Sequence, residues 1–209
     1  MKVIAINGSP KSIGNTYHSL RMIGNELEAA GIDFEILQIG HLSIRGCIAC
    51  GKCIENRDGR CSISGDDFNG QLPKITAADG LVLGAPVHYS GIAGTMKSFL
   101  DRLFYVSGAN GNFFRHKVGA AVVAVRRSGG SSTLDGLNHY LSYAEMIIAS
   151  ANYWNIVHGR TPGEVAQDIE GVQIMRVLGK NMAWIMMMKE ASKVSPPEKE
   201  EKEMMSFIR

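Results

Sequence analysis

The chain has 209 residues, a formal charge of +2 and 45% hydrophobic residues. This length suits one compact domain, because domains run to roughly 100–200 residues. The near-neutral charge provides no broad basic surface, so we expect no binding to nucleic acid. No apolar run reaches the ~20 residues of a membrane span, and the N-terminal run is too short for a signal peptide, so we expect no membrane partner and a cytoplasmic location.

Short apolar runs typical of buried strands alternate along the chain with segments whose apolar residues recur at helical spacing. In chain order, the predicted elements are strand Lys2–Ile6, helix Thr16–Ala30, strand Phe34–Ile39, helix 66–78, strand Gly80–Ala85, helix Ala93–Tyr105, strand Val118–Val125, helix Ser132–Ala144, strand Trp154–Val157 and helix Glu170–Ala191.

Local signals refine the boundaries of these elements. Asp66 and Asp67 are expected to serve as the N-cap and first-turn acid of the second helix. Pro73 predicts a break or kink in that helix, and Pro86 is expected to end the third strand. The segment Gly46–Ser64, which precedes the helix, is expected to be a loop insertion.

The strand pattern predicts the fold class. The first, third and fourth strands are apolar throughout, which is typical of strands covered by helices on both faces. Five such βα units predict an α/β domain with a doubly wound, five-stranded parallel sheet in a three-layer α/β/α arrangement. We expect this domain to span residues 1–192 and a charged, solvated tail to span residues 193–209.

Three segments that follow predicted strands have the residues of ligand-binding loops. In an open α/β sheet, ligands bind outside the carboxyl ends of the strands. The segment after the first strand, Asn7–Thr16, combines two glycines, hydroxyl and amide side chains, and a helix N-terminus, which together suit a phosphate monoester. It matches neither the dinucleotide nor the nucleoside-triphosphate fingerprint. A polar helix-capping turn is the alternative for this segment.

The other two segments follow the third and fourth strands. Ala85–Gly94 includes Tyr89, whose aromatic face suits a planar heterocycle, and Gly91, which permits close backbone approach. Arg126–Ser132 combines arginines, serines and two adjacent glycines. Plain strand–helix connections with surface side chains are the alternatives for both.

All four cysteines of the chain lie within fifteen residues. They are Cys47, Cys50, Cys53 and Cys61. A disulfide framework would spread its cysteines through a small secreted fold, so this clustering favours a metal or redox site.

The stretches GSPKSIGNT and GAPVHYSGIAGTMKSFLDR, with the glycines Gly129 and Gly130, resemble the NADPH-dependent FMN reductases of the flavodoxin-like superfamily. The resemblance implies a flavodoxin-like fold with bound FMN. It implies FMN-phosphate contacts from Ser9, Lys11, Asn15 and Thr16. It implies contacts to the flavin ring and ribityl chain from Pro86, Val87, His88, Tyr89 and Ser90, and flanking contacts from Arg127, Ser128, Gly129 and Gly130.

The cysteine spacing, Cys47-x2-Cys50-x2-Cys53-x7-Cys61, resembles the compact motif of the iron–sulfur flavoproteins. That resemblance implies a 4Fe-4S cluster held by the four thiolates. Structural zinc remains an alternative, since it accepts four cysteine ligands, although three of the cysteines are bunched rather than paired. Free or redox-active thiols are the third alternative.

These features together predict an NAD(P)H-dependent flavin oxidoreductase that passes electrons to a small-molecule or protein acceptor. A flavodoxin-like electron carrier and a cluster-free quinone or nitro-compound reductase are the alternatives, and a flavin-free metal-binding module is a third. The resemblance implies a homodimer or homotetramer. Tyr153, Trp154 and the stretch Met182–Met188 are candidate apolar surface, although methionine-rich helices more often belong to a core.

Overall fold

The computed structural model describes residues 1–207, so residues 208–209 of the predicted tail lie outside the described part. Seven strands and six α-helices are present there. The strands are β1 Lys2–Asn7, β2 Asp33–Gln38, β3 Gly80–His88, β4 Gly91–Ile92, β5 Val118–Val125, β6 Ile147–Ile148 and β7 Ile156–His158. The helices are α1 Asn15–Ala29, α2 Lys52–Asn56, α3 Phe68–Ala77, α4 Gly94–Ala109, α5 Gly130–Tyr143 and α6 Ile169–Ala191, with a 3₁₀ helix at Glu164–Gln167.

The strands form one doubly wound parallel sheet. Its order is β2-β1-β3-β5, and β6 and β7 each pair with β5, β6 at its beginning and β7 at its end. The chain leaves β1 in one direction to reach β2 and then crosses back to β3 on the other side of β1. The topological switch point therefore lies between the carboxyl ends of β1 and β3.

Two apolar cores cover the two faces of the sheet. Alternate residues of β1 point into opposite cores: Ile4 and Ile6 face α3, α4 and α5, whereas Val3 and Ala5 face α1 and α6. Successive side chains of a strand point to opposite faces, so a strand buried on both faces must be apolar at every position. The predicted α/β class and three-layer architecture are confirmed.

The prediction of five strands missed two short ones. The fifth sheet position is divided between β6 and β7, because the chain leaves the sheet after Ile148 and returns at Ile156. The strand β4 is antiparallel and forms a hairpin with the end of β3.

The prediction that Pro86 ends the third strand was wrong, because β3 continues to His88. The carbonyl of Gly84 accepts a hydrogen bond from the Gly8 N–H, so this residue faces β1. Pro86, two residues later, faces the same side, and β1 has already ended there at Asn7. A residue without an N–H therefore removes no hydrogen bond from the sheet.

Two predictions about the following segment also need correction. Within the expected loop Gly46–Ser64, the chain forms the short helix α2, whose Cys53 side chain is buried. The helix α3 runs through Pro73 without a break. The Asp66 carboxylate accepts a hydrogen bond from the Phe68 N–H at the start of α3, whereas Asp67 occupies the N-cap position without a side-chain bond.

Beyond Ser192 the chain forms neither helix nor strand up to residue 207. It nevertheless contacts the domain: Arg115 donates hydrogen bonds to the carbonyls of Pro197 and Glu198, and Lys202 donates to the Tyr143 hydroxyl. Within residues 1–207, no helix combines the length and the apolar character that crossing a lipid bilayer would require.

Candidate functional site

The loop after β1 is held by a partly buried network of amide side chains. Asn7 accepts a hydrogen bond from the Ser9 N–H through its side-chain oxygen and donates to the side-chain oxygen of Gln38 at 2.5 Å. Gln38 in turn donates to the Ser9 carbonyl at 2.6 Å, and the Ser9 hydroxyl accepts from the Lys11 N–H. The end of β2 therefore fixes the backbone of this loop.

Two glycines allow the loop to pack tightly. A Cβ atom on Gly8 would lie 2.6 Å from the side chain of Met96. A Cβ atom on Gly40 would lie 2.2 Å from the carbonyl oxygen of Ser9, which is backbone and cannot rotate away. The loop is thus packed between α4 and the chain after β2 at separations that only glycine permits.

The loop ends at the N-terminus of α1, which has Gly14 as its N-cap and no side-chain cap. The first-turn N–H groups of a helix have no partners within the helix, and they attract anions. Thr16 is buried in this turn. The side-chain oxygen of Asn15 is directed to another loop, where it accepts a hydrogen bond from the Gly163 N–H at 2.9 Å.

A cleft of about 310 Å³ opens beside this helix N-terminus, at the switch point of the sheet. Three of its side chains, Lys11, Arg126 and Arg160, are cationic, and none of the described residues that line it is a carboxylate. The full lining is Ser9, Pro10, Lys11, Gly14, Asn15, Thr16, Pro86, Val87, His88, Ala124, Arg126, Gly159, Arg160 and Pro162. Positive charge without opposing acid suits a phosphate group.

The second predicted loop contributes to this cleft only at its beginning. Pro86, Val87 and His88 line it, whereas Tyr89 and Ser90 form the tip of the β3–β4 hairpin and are exposed. Tyr89 is fully exposed and has φ of +59°, which a two-residue hairpin turn requires at one of its positions.

The third predicted loop lines a second, neighbouring cleft. This cleft has a volume of about 490 Å³, and Arg127, Ser128, Gly129 and Gly130 lie along one side. The exposed pair Tyr153 and Trp154 lies on another side. Gly129 also meets the second loop, since a Cβ atom there would lie 3.1 Å from Val87. The three predicted loops are therefore adjacent, but they line two clefts.

All four cysteines line one small cavity of about 20 Å³. Cys53 on α2 is buried, Cys61 is partly buried, and Cys47 and Cys50 are exposed at its mouth. Asn69 fixes the backbone of Cys61 through two hydrogen bonds, accepting from its N–H and donating to its carbonyl.

The four thiols occupy different environments. Burial raises the pKa of the Cys53 thiol, and the neighbouring Cys61, Cys50 and Cys47 raise it further. The Ser62 hydroxyl, 3.4 Å from the Cys50 sulfur, lowers the pKa of Cys50 together with the N–H of Lys52. The thiolate form is therefore favoured at the mouth of the cavity and disfavoured at its base.

Arg102 of α4 also lines the cysteine cavity, and its side chain is fully buried. It pairs with the Asp66 carboxylate at 2.5 Å and donates to the carbonyls of Arg45 at 3.1 Å and Ile63 at 3.2 Å. Arg45 precedes Cys47, whereas Ile63 and Asp66 follow Cys61, so these partners flank the cysteine segment, residues 47–61, on both sides. One guanidinium therefore ties both ends of the segment to α4, and its plane packs over Phe68 at 4.1 Å.

Four thiols around one cavity are a donor set that soft metals accept. Among the residues that the structure describes, no three Cys, His, Asp or Glu side chains lie close enough to share one ion. Tetrahedral zinc would need four sulfurs at about 2.3 Å from one centre. Soft thiolates suit iron as well, so four thiols around one cavity are also a donor set that an iron–sulfur cluster would accept.

Sequence reasoning missed several residues of these sites. Gln38 positions the first loop, Arg160 supplies charge to its cleft, and Arg102 ties the cysteine segment to α4. Asn7 and Arg126 lie within the predicted loops, but no individual contact was assigned to either. Arg160 lies just after β7, so the rule that found the other loops would have found it had the last strand been extended to His158. Arg102 ends the stretch that carries the family resemblance, but its role gave no local signal, since its partners are 36 to 57 residues away along the chain.

Comparison with known proteins agrees with this geometry. The chain matches the NADPH-dependent FMN reductase family over residues 1–161. An iron–sulfur flavoprotein of Methanocaldococcus jannaschii is 34% identical over 190 residues, which cover 88% of this chain and 96% of that protein.

Solved structures share the fold at low sequence identity. RosB with bound 8-demethyl-8-formylriboflavin-5′-phosphate has a TM-score of 0.73 at 17% identity, covering 91% of this chain and 81% of RosB. A flavodoxin from the domain Archaea has a TM-score of 0.58 at 18% identity, covering 90% of this chain and 99% of the flavodoxin. The expected flavodoxin-like fold is thereby confirmed, and the family match carries the function. The chain belongs to the NADPH-dependent FMN reductase family and is an FMN-dependent oxidoreductase.

Proposed function

We propose that this flavin oxidoreductase takes electrons from NADPH or NADH and delivers them to an acceptor through a 4Fe-4S cluster held by its four cysteines. The observation that carries the proposal is the presence of two separate sites in one domain. One is a cationic cleft at the switch point of the sheet, and the other is a cavity lined by all four thiols. The similarity to an iron–sulfur flavoprotein supports the second site.

The cationic cleft has the residues to hold FMN. Bound FMN supplies hydride acceptance and onward transfer of single electrons. Lys11, Arg126 and Arg160 would neutralise the phosphate of FMN, and the uncapped first turn of α1 would offer it N–H donors. Pro86 and Val87 provide an apolar wall at the other end of the cleft. The amide network of Asn7 and Gln38 keeps the loop rigid, so little order has to be gained on binding.

The cysteine cavity has the residues to hold the cluster, which supplies one-electron transfer when bound. Cys53 and Cys61 form its inner part, and the exposed Cys47 and Cys50 close it from outside. Arg102 lies eight residues after Gly94, about 12 Å along α4 at a rise of ~1.5 Å per residue. The cysteine cavity therefore lies some way along α4 from its first residue, Gly94, which follows the β3–β4 hairpin.

We also propose a homodimer or homotetramer in the cytoplasm. Tyr153, Trp154 and Trp184 are each more than half exposed, which is unusual for aromatic side chains of this size. By contrast, Met182 and Met186 belong to the core between α6 and the sheet. The cytoplasm keeps thiols reduced, as four unpaired cysteines require. Analytical ultracentrifugation of the wild type and of Trp154→Ala tests the assembly, and a monomeric wild type would contradict it.

Anaerobic rapid mixing tests the electron route. FMN-loaded, cluster-reconstituted protein is mixed with NADPH or NADH while the absorbance of oxidised flavin is followed, and a one-electron acceptor is then added. We expect loss of the flavin absorbance on mixing and fast reduction of the acceptor. Cys61→Ser should slow the second step at least tenfold, whereas Ser64→Ala, a change at an exposed residue in the same segment, should leave it unaltered.

Each alternative function gives a different result in this experiment. Flavin that is reduced only by a protein donor would indicate an electron carrier. Equal acceptor reduction by wild type and Cys61→Ser would indicate a quinone or nitro-compound reductase that works without the cysteines. Either result would contradict the proposed route.

A further inference from the structure

Arg102 has one polar group that the fold leaves without a partner. Its two terminal nitrogens are satisfied by Asp66 and by the carbonyls of Arg45 and Ile63. Its third nitrogen, Nε, is buried and has no hydrogen-bond acceptor among the described residues. Almost every buried N–H in a native fold has an acceptor, so this one points to a group that the cavity receives.

The surroundings of this N–H identify what would accept it. Arg102 lines the cysteine cavity, so the free donor belongs to the same site as the four thiols. An arginine guanidinium keeps its proton in proteins, and the Asp66 carboxylate pairs with it, so Arg102 brings a positive charge to this site. No other cationic side chain lines this cavity within the described part of the chain.

We propose that Arg102 is a positioning residue for the cysteine site, and that its Nε–H donates a hydrogen bond to a sulfur of the bound cluster or to the Cys61 thiolate. This inference rests on the proposed cluster. Hydrogen bonds and positive charge beside the sulfurs stabilise the more negative, reduced form of a cluster. Arg102 therefore raises the reduction potential of the site, in addition to tying the cysteine segment to α4.

Potentiometric titration of the reconstituted protein, followed by electron paramagnetic resonance, measures this effect without relying on turnover. Arg102→Lys keeps the charge but removes the guanidinium with its Nε–H, whereas Arg102→Gln removes the charge as well and leaves only a shorter amide. We expect the midpoint potential to fall in Arg102→Lys, by about 59 mV for a tenfold change in a one-electron equilibrium. It should fall further in Arg102→Gln.

Asp66→Asn is the matched control, because it breaks the same buried ion pair but keeps the donor. It removes a negative charge near the site, so the midpoint should stay level or rise, opposite in sign to the Arg102 variants. Should a variant lose its cluster, iron content decides: loss in Arg102→Lys with retention in Asp66→Asn supports the proposal, and equal loss in both overturns it.

The remaining outcomes separate this inference from the proposed function. Wild-type protein with iron, and an Arg102→Lys variant with an unchanged midpoint, would overturn the role of Arg102 and leave the cluster in place. Wild-type protein that binds no iron after anaerobic reconstitution would overturn both.

Discussion

Gly40 offers a direct test of how the loop after β1 is packed. Its φ is not in the left-handed region, so alanine can adopt the backbone conformation and any effect of Gly40→Ala is steric. The new Cβ atom would lie 2.2 Å from the Ser9 carbonyl oxygen and 2.3 Å from its carbon. Cβ contacts below 3.0 Å essentially do not occur, so Ser9 must move by about 0.8 Å or more.

A shift of this size acts on both stability and binding. Overpacking of this kind costs about 1–3 kcal/mol, and the hydrogen bond from Gln38 to the Ser9 carbonyl is strained as well. Because Ser9 lines the cationic cleft, we expect the Kd for FMN to rise about tenfold, equivalent to about 1.4 kcal/mol.

Urea denaturation of the apoprotein and fluorescence titration with FMN measure these two effects. Gly70→Ala is the control, since a Cβ atom at this exposed position of α3 meets no atom within 4 Å. That change should stabilise the protein by about 0.5 kcal/mol and leave FMN affinity unaltered. If Gly40→Ala matched the wild type within about 0.5 kcal/mol and twofold in Kd, the packing argument would be refuted.

Two further substitutions test the charges of the two sites. Arg160→Ala should weaken FMN binding about fivefold to tenfold in equilibrium titrations. Riboflavin binding should stay unchanged, because riboflavin has no phosphate. Arg176→Ala, an exposed control on α6, should affect the binding of neither flavin. Asp66→Asn should destabilise the fold by about 3–5 kcal/mol, since it leaves the buried Arg102 charge unpaired. Burial opposes ionisation of Asp66, but hydrogen bonds from Arg102, Arg45 and Phe68 lower its pKa below the ordinary 3.8. The stabilisation that ionised Asp66 gives to the fold is therefore complete above pH 3.8 and is lost as the pH falls through the folded-state pKa. As the pH is lowered from about 5 to about 2, the stability of the wild type should fall toward that of Asp66→Asn in denaturation experiments.

The sheet and its two faces were predictable from the sequence because local composition determines them. Strands such as Val118–Val125 are apolar at every position, and only a sheet covered on both faces can bury them. The short strands β4 and β6 were not predictable, because two residues contain no period. Continuation of β3 past Pro86 depends on where the neighbouring strand β1 ends, which no local pattern shows.

Those site residues that directly follow the end of one strand were predictable from the sequence. The loops after β1, β3 and β5 are adjacent, as the position of these ends implies. The division into two clefts depends on long-range contacts. The bond between Asn15 and Gly163 spans 148 residues and turns part of an expected phosphate ligand toward another loop. The cysteine cluster was visible in the sequence, but the buried arginine beside it was not.

The visible absorption spectrum of protein purified without oxygen, with iron and acid-labile sulfide assayed on the same sample, tests the central claim most directly. A protein with FMN in the cationic cleft and a cluster on Cys47, Cys50, Cys53 and Cys61 should show flavin bands over a broad iron–sulfur absorption, with about four iron atoms per chain. Flavin bands without iron, even after reconstitution with iron and sulfide, would contradict the electron route through the cysteines. A protein that binds no flavin when FMN is added would contradict the assignment of the cleft itself.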